Sequence, residues 1–216
     1  MTEAEWLTSI YPMRMLVYLD VDPDSPDALC FLVSCCRRVW ESLPEECQRW
    51  VALAERVVTG QADLATFRDV ELFERVNDSL LTLSQRGGSG KLGGRLYAVQ
   101  NVVAADWYHE WPAAADDEWQ DERAAQAVLV RDIFGNPFRP VSLDPTCRTP
   151  AVAALVTAGY ENRVLPAGHL DPDRLAILAD ALEDAGCDNR DILSHLRGPG
   201  PHVRGCHVVD LLLGKE

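Results

Sequence analysis

The sequence predicts an all-α fold, a compact multi-helix domain or two helical halves, with no substantial sheet. Three observations predict it. Apolar residues recur three and four positions apart along several stretches, which puts them on one face of a helix. Ser, Thr, Asp or Asn stands at the head of many of these stretches, often followed by proline, as at a capped helix start. No stretch alternates apolar and polar residues in the manner of a half-buried strand.

In chain order, Thr2 and Glu5 form a capping box ahead of Trp6, Leu7 and Ile10. An acidic, proline-broken turn follows at Asp20 to Pro26. Ser25–Pro26 then opens a helix whose apolar stripe is Leu29, Leu32, Val33, Cys36 and Trp40. Cys36 lies on that stripe as a small buried hydrophobe. Cys30 and Cys35 lie off it, and Arg37 and Arg38 read as a solvated edge. Pro44 starts a third helix carrying Cys47, Val51, Ala54 and Val58, and Asp63 begins a fourth with Leu72, Phe73, Val76, Leu80 and Leu83.

The run Arg86 to Arg95, RGGSGKLGGR, reads as a glycine-rich linker. Its GSGK core invites comparison with a phosphate loop. That loop requires a glycine where Gln85 stands, Ser or Thr where Leu92 stands, and a preceding strand. All three conditions fail.

A helical pattern resumes over Leu96 to Tyr108. An acidic loop bearing Trp111 and Trp119 follows, and aromatics among acids are a candidate binding surface. Arg123 to Phe134 reads as a buried helix, Asn136 to Pro140 as a rigid extended turn, and Thr149–Pro150 opens a short helix through Val156. Asp171 and Pro172 start the best-marked helix, with Leu175, Leu178, Ala179, Leu182 and Ala185 on one face and Gly186 past its end. Asp173, Asp180 and Asp184 lie on the opposite face with Ile177. Asn189 caps a short helix with Ile192, Leu193 and Leu196, the GPGP run at Gly198 to Pro201 stops it, and Cys206 to Leu213 is apolar almost all round. The organisation expected is an N-terminal helical half at 1–115, with the linker at 86–95, and a C-terminal half at 116–216.

Composition narrows the function. A formal charge of −14 on 216 residues disfavours nucleic acid or an anionic membrane as partner and fits an encounter with another protein. No apolar run approaches the ~18 residues a membrane helix needs, and Met1 precedes TEAEW rather than a basic, then apolar, leader. The expectation is cytoplasmic. Seven cysteines, an odd number, favour reduced thiols over a disulfide framework. Cys35 and Cys36, adjacent on a helix, point about 100° apart and cannot pair without breaking it.

Several segments carry a resemblance: MTEAEWL at the start, LVSCCRRVW (Leu32 to Trp40), RDIFGNPFRP (Arg131 to Pro140), and LADALEDAGC…ILSHLRGPGPHVRGCHVVDLLLGKE (Leu178 to Glu216). Together they resemble a large paralogous family of uncharacterised planctomycete proteins, alike at both ends and different in the middle. The middle of this chain is less alanine-rich than that pattern, and His207 stands where an aromatic is expected. The resemblance implies no activity, cofactor or catalytic residue.

Two functional readings remain. The first is a non-enzymatic protein-interaction module with no cofactor, whose surface includes Arg197, His202 and Arg204 of the turn RGPGPHVRGC together with Trp111 and Trp119. The same turn also reads as a device that docks Val208 to Leu213 onto the core. The second reading is a zinc-binding domain or metal-dependent enzyme using Cys187, His195, His202 and Cys206, with His207 beside them. Their spacing, Cys-x7-His-x6-His-x3-Cys, lacks the close ligand pair that opens standard zinc motifs. A nucleophilic set of Cys206, a histidine and Asp210 lacks a glycine-flanked signature, so no catalytic residue is assigned.

Overall fold

The computed structural model describes residues 1–67, 78–79 and 117–215, with side chains from 120 onward in the last span. The glycine run at 86–95, Trp111 and the side chain of Trp119 lie outside it, as do the apolar stripe of Leu72, Phe73, Val76, Leu80 and Leu83 and the pattern over Leu96 to Tyr108. Among the described residues the fold is all-α: ten α-helices, two short 3-10 turns and one isolated antiparallel bridge, Val164 to His169. No helix among them is long and apolar enough to cross a membrane. The chain divides into two compact units, Met1–Ala127 and Val128–Glu216.

In the first unit, α1 (Glu3–Thr8) starts with the capping box its sequence encodes. The Glu5 amide donates to Thr2 Oγ1 and the Thr2 amide to Glu5 Oε2. Helix α2 (Pro12–Tyr18) buries Met13, Met15 and Leu16. Helix α3 (Pro26–Arg37) is capped by Ser25, whose hydroxyl accepts from the Ala28 amide. It is buried more widely than its stripe implies, because Cys30, Phe31 and Cys35 are buried as well as Leu29, Val33 and Cys36. Helix α4 (Glu45–Val58) buries Cys47, Trp50, Val51 and Ala54, and α5 (Leu64–Phe67) stacks Phe67 on Trp50 at 4.7 Å.

The expected solvated edge at Arg37 and Arg38 is corrected here. Their side chains are only 10% and 21% exposed. Arg37 bridges to Glu55 and lies 3.9 Å over the Trp40 ring, while Arg38 bridges to Glu122. Position on a sequence-derived stripe says which residues are apolar, and an arginine's long stem lets it lie along the same buried surface.

Helix α6 (Asp117–Phe134) contains the division between units. Its last turns open the second unit with Leu129, Val130 and Ile133 buried. Helix α7 (Pro150–Glu161) follows a Thr149 cap, runs past Val156, and presents Val152, Val156 and Tyr160 to the core. Helix α8 (Pro172–Asp184), capped by Asp171, buries the expected Leu175, Leu178, Ala179 and Leu182. Helix α9 (Arg190–Leu196), capped by Asn189, adds Ile192, Leu193 and Leu196. Helix α10 (His207–Leu213) closes the cluster with Val208, Val209 and Leu212. Each fully buried leucine contributes about 1.5–3 kcal/mol, so this core supports a unit with no sheet. Arg148 donates to the Leu211 carbonyl at 2.6 Å and Lys215 lies 3.5 Å over Tyr160, which fixes the far end of α10.

Candidate metal centre

Four donor-bearing side chains of the second unit converge: Asp132 of α6, His195 of α9, and His202 and Cys206 of the turn before α10. One ligand atom from each lies within 4.8 Å of the others. Local structure explains the convergence. His195 sits in the last turn of α9, Cys206 is the N-cap residue of α10, and the intervening GPGP turn folds back between them. The Leu170 amide donates to the His202 carbonyl at 2.8 Å, which holds that turn against the segment leading into α8.

Asp132 is the hub. It is 3% exposed on a helix whose neighbours Leu129, Val130 and Ile133 are buried. Its Oδ1 lies 2.7 Å from His202 Nδ1 and 3.2 Å from His195 Nε2, and its Oδ2 accepts from the Val203 amide at 2.9 Å. Burial alone would push this carboxyl up. Hydrogen bonds from His195 and His202, together with the charges of the two imidazoles, outweigh burial and hold it below the ordinary aspartate value. His207 Nδ1 contacts the Asp132 carbonyl at 2.8 Å, so α10 grips the same residue through its main chain.

Cys206 Sγ lies 3.1 Å from His195 Nε2. Its thiol is pushed well up, first by complete burial and then by the Asp132 charge, against the backbone amides of Val209 and Val208. His207 is shifted down, with burial as the main cause. The imidazoles stack edge to face, His195 to His202 at 4.6 Å and His195 to His207 at 4.5 Å.

The arrangement is a poor nucleophilic relay. In such a relay one imidazole nitrogen faces the nucleophile while the other is held by the acid. Here Cys206 and Asp132 both meet the same Nε2 of His195. A carboxylate, imidazoles and a thiol around one point are groups that could hold a metal ion.

Of the residues singled out in the sequence, His195, His202 and Cys206 are brought together. Cys187 is not in the group. It lies in the hydrophobic core cluster with Cys147. Asp132 stands in the group where the sequence suggested that cysteine. Asp210 is not part of it either. All seven cysteines are buried and free. Of the candidate binding turn, Arg197 stays at the surface, bonded to Asp180 at 2.6 Å and also to Glu183, both on α8. Arg204 donates to the Tyr160 carbonyl and lies 5.1 Å over its ring, and His202 is 5% exposed.

Compared with models of protein families, with curated proteins and with solved structures, the chain gives no match. The resemblance to planctomycete proteins therefore stays a reading of the motifs themselves.

Proposed function

We propose that the protein is a metal-binding protein whose second unit holds one divalent transition-metal ion, of the zinc class, at Asp132, His195 and Cys206 with His202 beside them. The observation that supports this reading is the meeting of a thiol, an imidazole and a carboxylate from separate segments at 3.1 and 3.2 Å in a buried place. Zinc bond lengths of about 2.0–2.3 Å put tetrahedral ligand atoms about 3.3–3.5 Å apart, so little movement would admit the ion. A thiolate and a nitrogen donor select zinc-like ions over magnesium or calcium, which take oxygen.

Charge supports the same reading. The Asp132 carboxylate is buried beside the Cys206 thiol, and a divalent cation would offset its charge and that of the thiolate formed when the cation displaces the thiol proton. The reading assigns metal binding and no reaction. Of the residues the interaction-module reading named, His202 is buried and Arg204 is engaged with Tyr160, whereas Arg197 remains at the surface. A reducing, cytoplasmic setting fits the seven free cysteines.

Elemental analysis of full-length protein purified without chelator tests this directly. The expected result is about one zinc per chain, lost in Cys206→Ser. Protein that carries no metal, and takes up neither Zn(II) nor Co(II) when they are offered, would sink the reading.

A further inference from the structure

We infer that this centre is coordinatively open: Cys206, His195 and Asp132 are its three protein ligands, His202 holds Asp132 from outside, and the fourth position takes a small exogenous Lewis base, water or an anion such as azide. The inference rests on the metal-binding reading and deepens it.

The distances separate the donors into two sets. His195 Nε2 lies 3.2 Å from Asp132 Oδ1 and 3.1 Å from Cys206 Sγ, close to the edges of a tetrahedron around a zinc-sized ion. His202 Nδ1 lies 2.7 Å from the same Oδ1. Two nitrogen and oxygen ligands at about 2.0–2.1 Å would then subtend only about 80° at the ion, far from tetrahedral. A separation of 2.7 Å is instead the length of a charge-assisted N–H···O hydrogen bond. His202 is thus the donor to Asp132.

The rest of the His202 ring agrees with that role. With Nδ1 donating, Nε2 is left as an acceptor, buried and with no hydrogen-bond partner among the described residues. It lies on the Gly200 side of the ring, where a Cβ on that glycine would stand 3.7 Å away. Asp132 is fixed from three directions, by His202 Nδ1, by the Val203 amide on Oδ2, and by His207 on its carbonyl. A ligand carboxylate oriented by outer hydrogen bonds is the usual companion of a metal site. The side of the group nearest solvent is that of His195, whose side chain is 20% exposed while Cys206 is fully buried.

The test uses full-length protein loaded with Co(II), followed by titration with sodium azide. Cobalt should give a thiolate charge-transfer band that Cys206→Ser removes. Azide should then shift the visible d–d bands saturably, because it takes the fourth position. His202→Asn should keep the charge-transfer band with affinity weakened about 10–100-fold, the usual effect of losing an outer-shell partner. Cobalt bands insensitive to azide would overturn the open position, since the wild-type chain needs no substitution for that measurement. Loss of all cobalt binding in a folded His202→Asn chain, judged by circular dichroism, would make His202 a fourth ligand and also overturn it. Failure of the wild-type chain to bind cobalt at all would instead remove the metal-binding reading beneath it.

Discussion

Helix α6 supplies one buried carboxylate to each unit, and the two are met in opposite ways. Glu122, in the first unit, is 2% exposed and receives Arg38 through Nε at 2.9 Å and a terminal guanidinium nitrogen at 3.0 Å. Asp132, in the second, is 3% exposed and receives His202, His195 and a backbone amide, with a thiol close by. A guanidinium is a permanent cation whose planar fork matches a carboxylate. Imidazole and thiol carry lone pairs that can bind an ion, and imidazole charge is optional. A buried carboxylate needs a counter-charge in either case. The first unit meets its carboxylate with a permanent cation, whereas the second meets it with imidazoles and an amide.

The largest effects should come from removing the carboxylates. Glu122→Ala leaves a guanidinium in a half-buried place, and Asp132→Ala leaves the His202 and Val203 donors unmet. Each should cost about 3–5 kcal/mol in urea unfolding, as for a broken buried pair. Chelator should further weaken the Glu122→Ala chain and leave Asp132→Ala unchanged. A cost for Asp132→Ala no greater than the roughly 0.5 kcal/mol of a surface change would break the comparison.

Next are the thiols. Cys36 and Cys206 are both buried, and burial pushes both up, yet Cys36 has another thiol, Cys47, as its main raising neighbour while Cys206 has Asp132. With zinc at a hundred times its dissociation constant, binding should add about 2.7 kcal/mol of stability. Cys206→Ala should lose that increment and Cys36→Ala should keep it, apart from a packing cost near about 1 kcal/mol. Thermal unfolding with and without zinc measures both. Equal zinc dependence in the two variants would mean that Cys206 is no ligand.

The helices of both units were legible because caps act locally. Thr2 with Glu5, Ser25, Asp171 and Asn189 each bond to an amide two or three residues on, so a short window of sequence contains the whole interaction. The site was legible only in its local part. His195, His202 and Cys206 lie in one short stretch and were visible together, whereas Asp132 comes from a distant helix. Its signal was present as an acid inside the buried run Leu129, Val130 and Ile133, which calls for a partner. Cys187 was closer in sequence but belongs to the apolar core, and spacing alone does not distinguish the two. The ion pairs of Arg37 and Arg38 were hidden for the same reason, since Glu55 and Glu122 come from other helices.

A smaller effect separates two helix-ending glycines. Gly60 follows α4 with φ +70°, and a Cβ added there would meet nothing within 4 Å. Gly135 follows α6 with φ +68° and would place its Cβ 2.9 Å from His207 Cδ2. Gly60→Ala should cost about 1–2 kcal/mol for the left-handed backbone alone. Gly135→Ala adds displacement of the His207 ring and should cost roughly 1 kcal/mol more. Denaturation midpoints compare them. The Gly135 change should also lower cobalt affinity, because His207 holds the Asp132 carbonyl, and unchanged affinity would detach that histidine from the site.

The smallest effect is electrostatic and lies at the surface. Arg37 and Glu55 of the first unit are only 10% and 13% exposed, whereas Arg197, Asp180 and Glu183 of the second are 38%, 70% and 49% exposed. Salt screens exposed pairs far more than buried ones. The hydrogen bond from Arg197 holds the Glu183 carboxyl below its ordinary value. A lowered carboxyl stabilises the folded chain fully above the unfolded value of about 4.3, and that contribution disappears as pH falls through the folded value. The stability difference between wild type and Arg197→Gln should therefore be modest at pH 7, shrink when salt is added, and shrink again as pH drops below about 4. Arg37→Gln should keep most of its larger cost in the same salt, because Glu55 would be left with little water around it. Urea midpoints at low and high salt, repeated at neutral and acidic pH, give both differences. An Arg197→Gln cost that neither salt nor acid changes would assign this arginine to packing of α9 on α8, since apolar contact of its stem responds to neither.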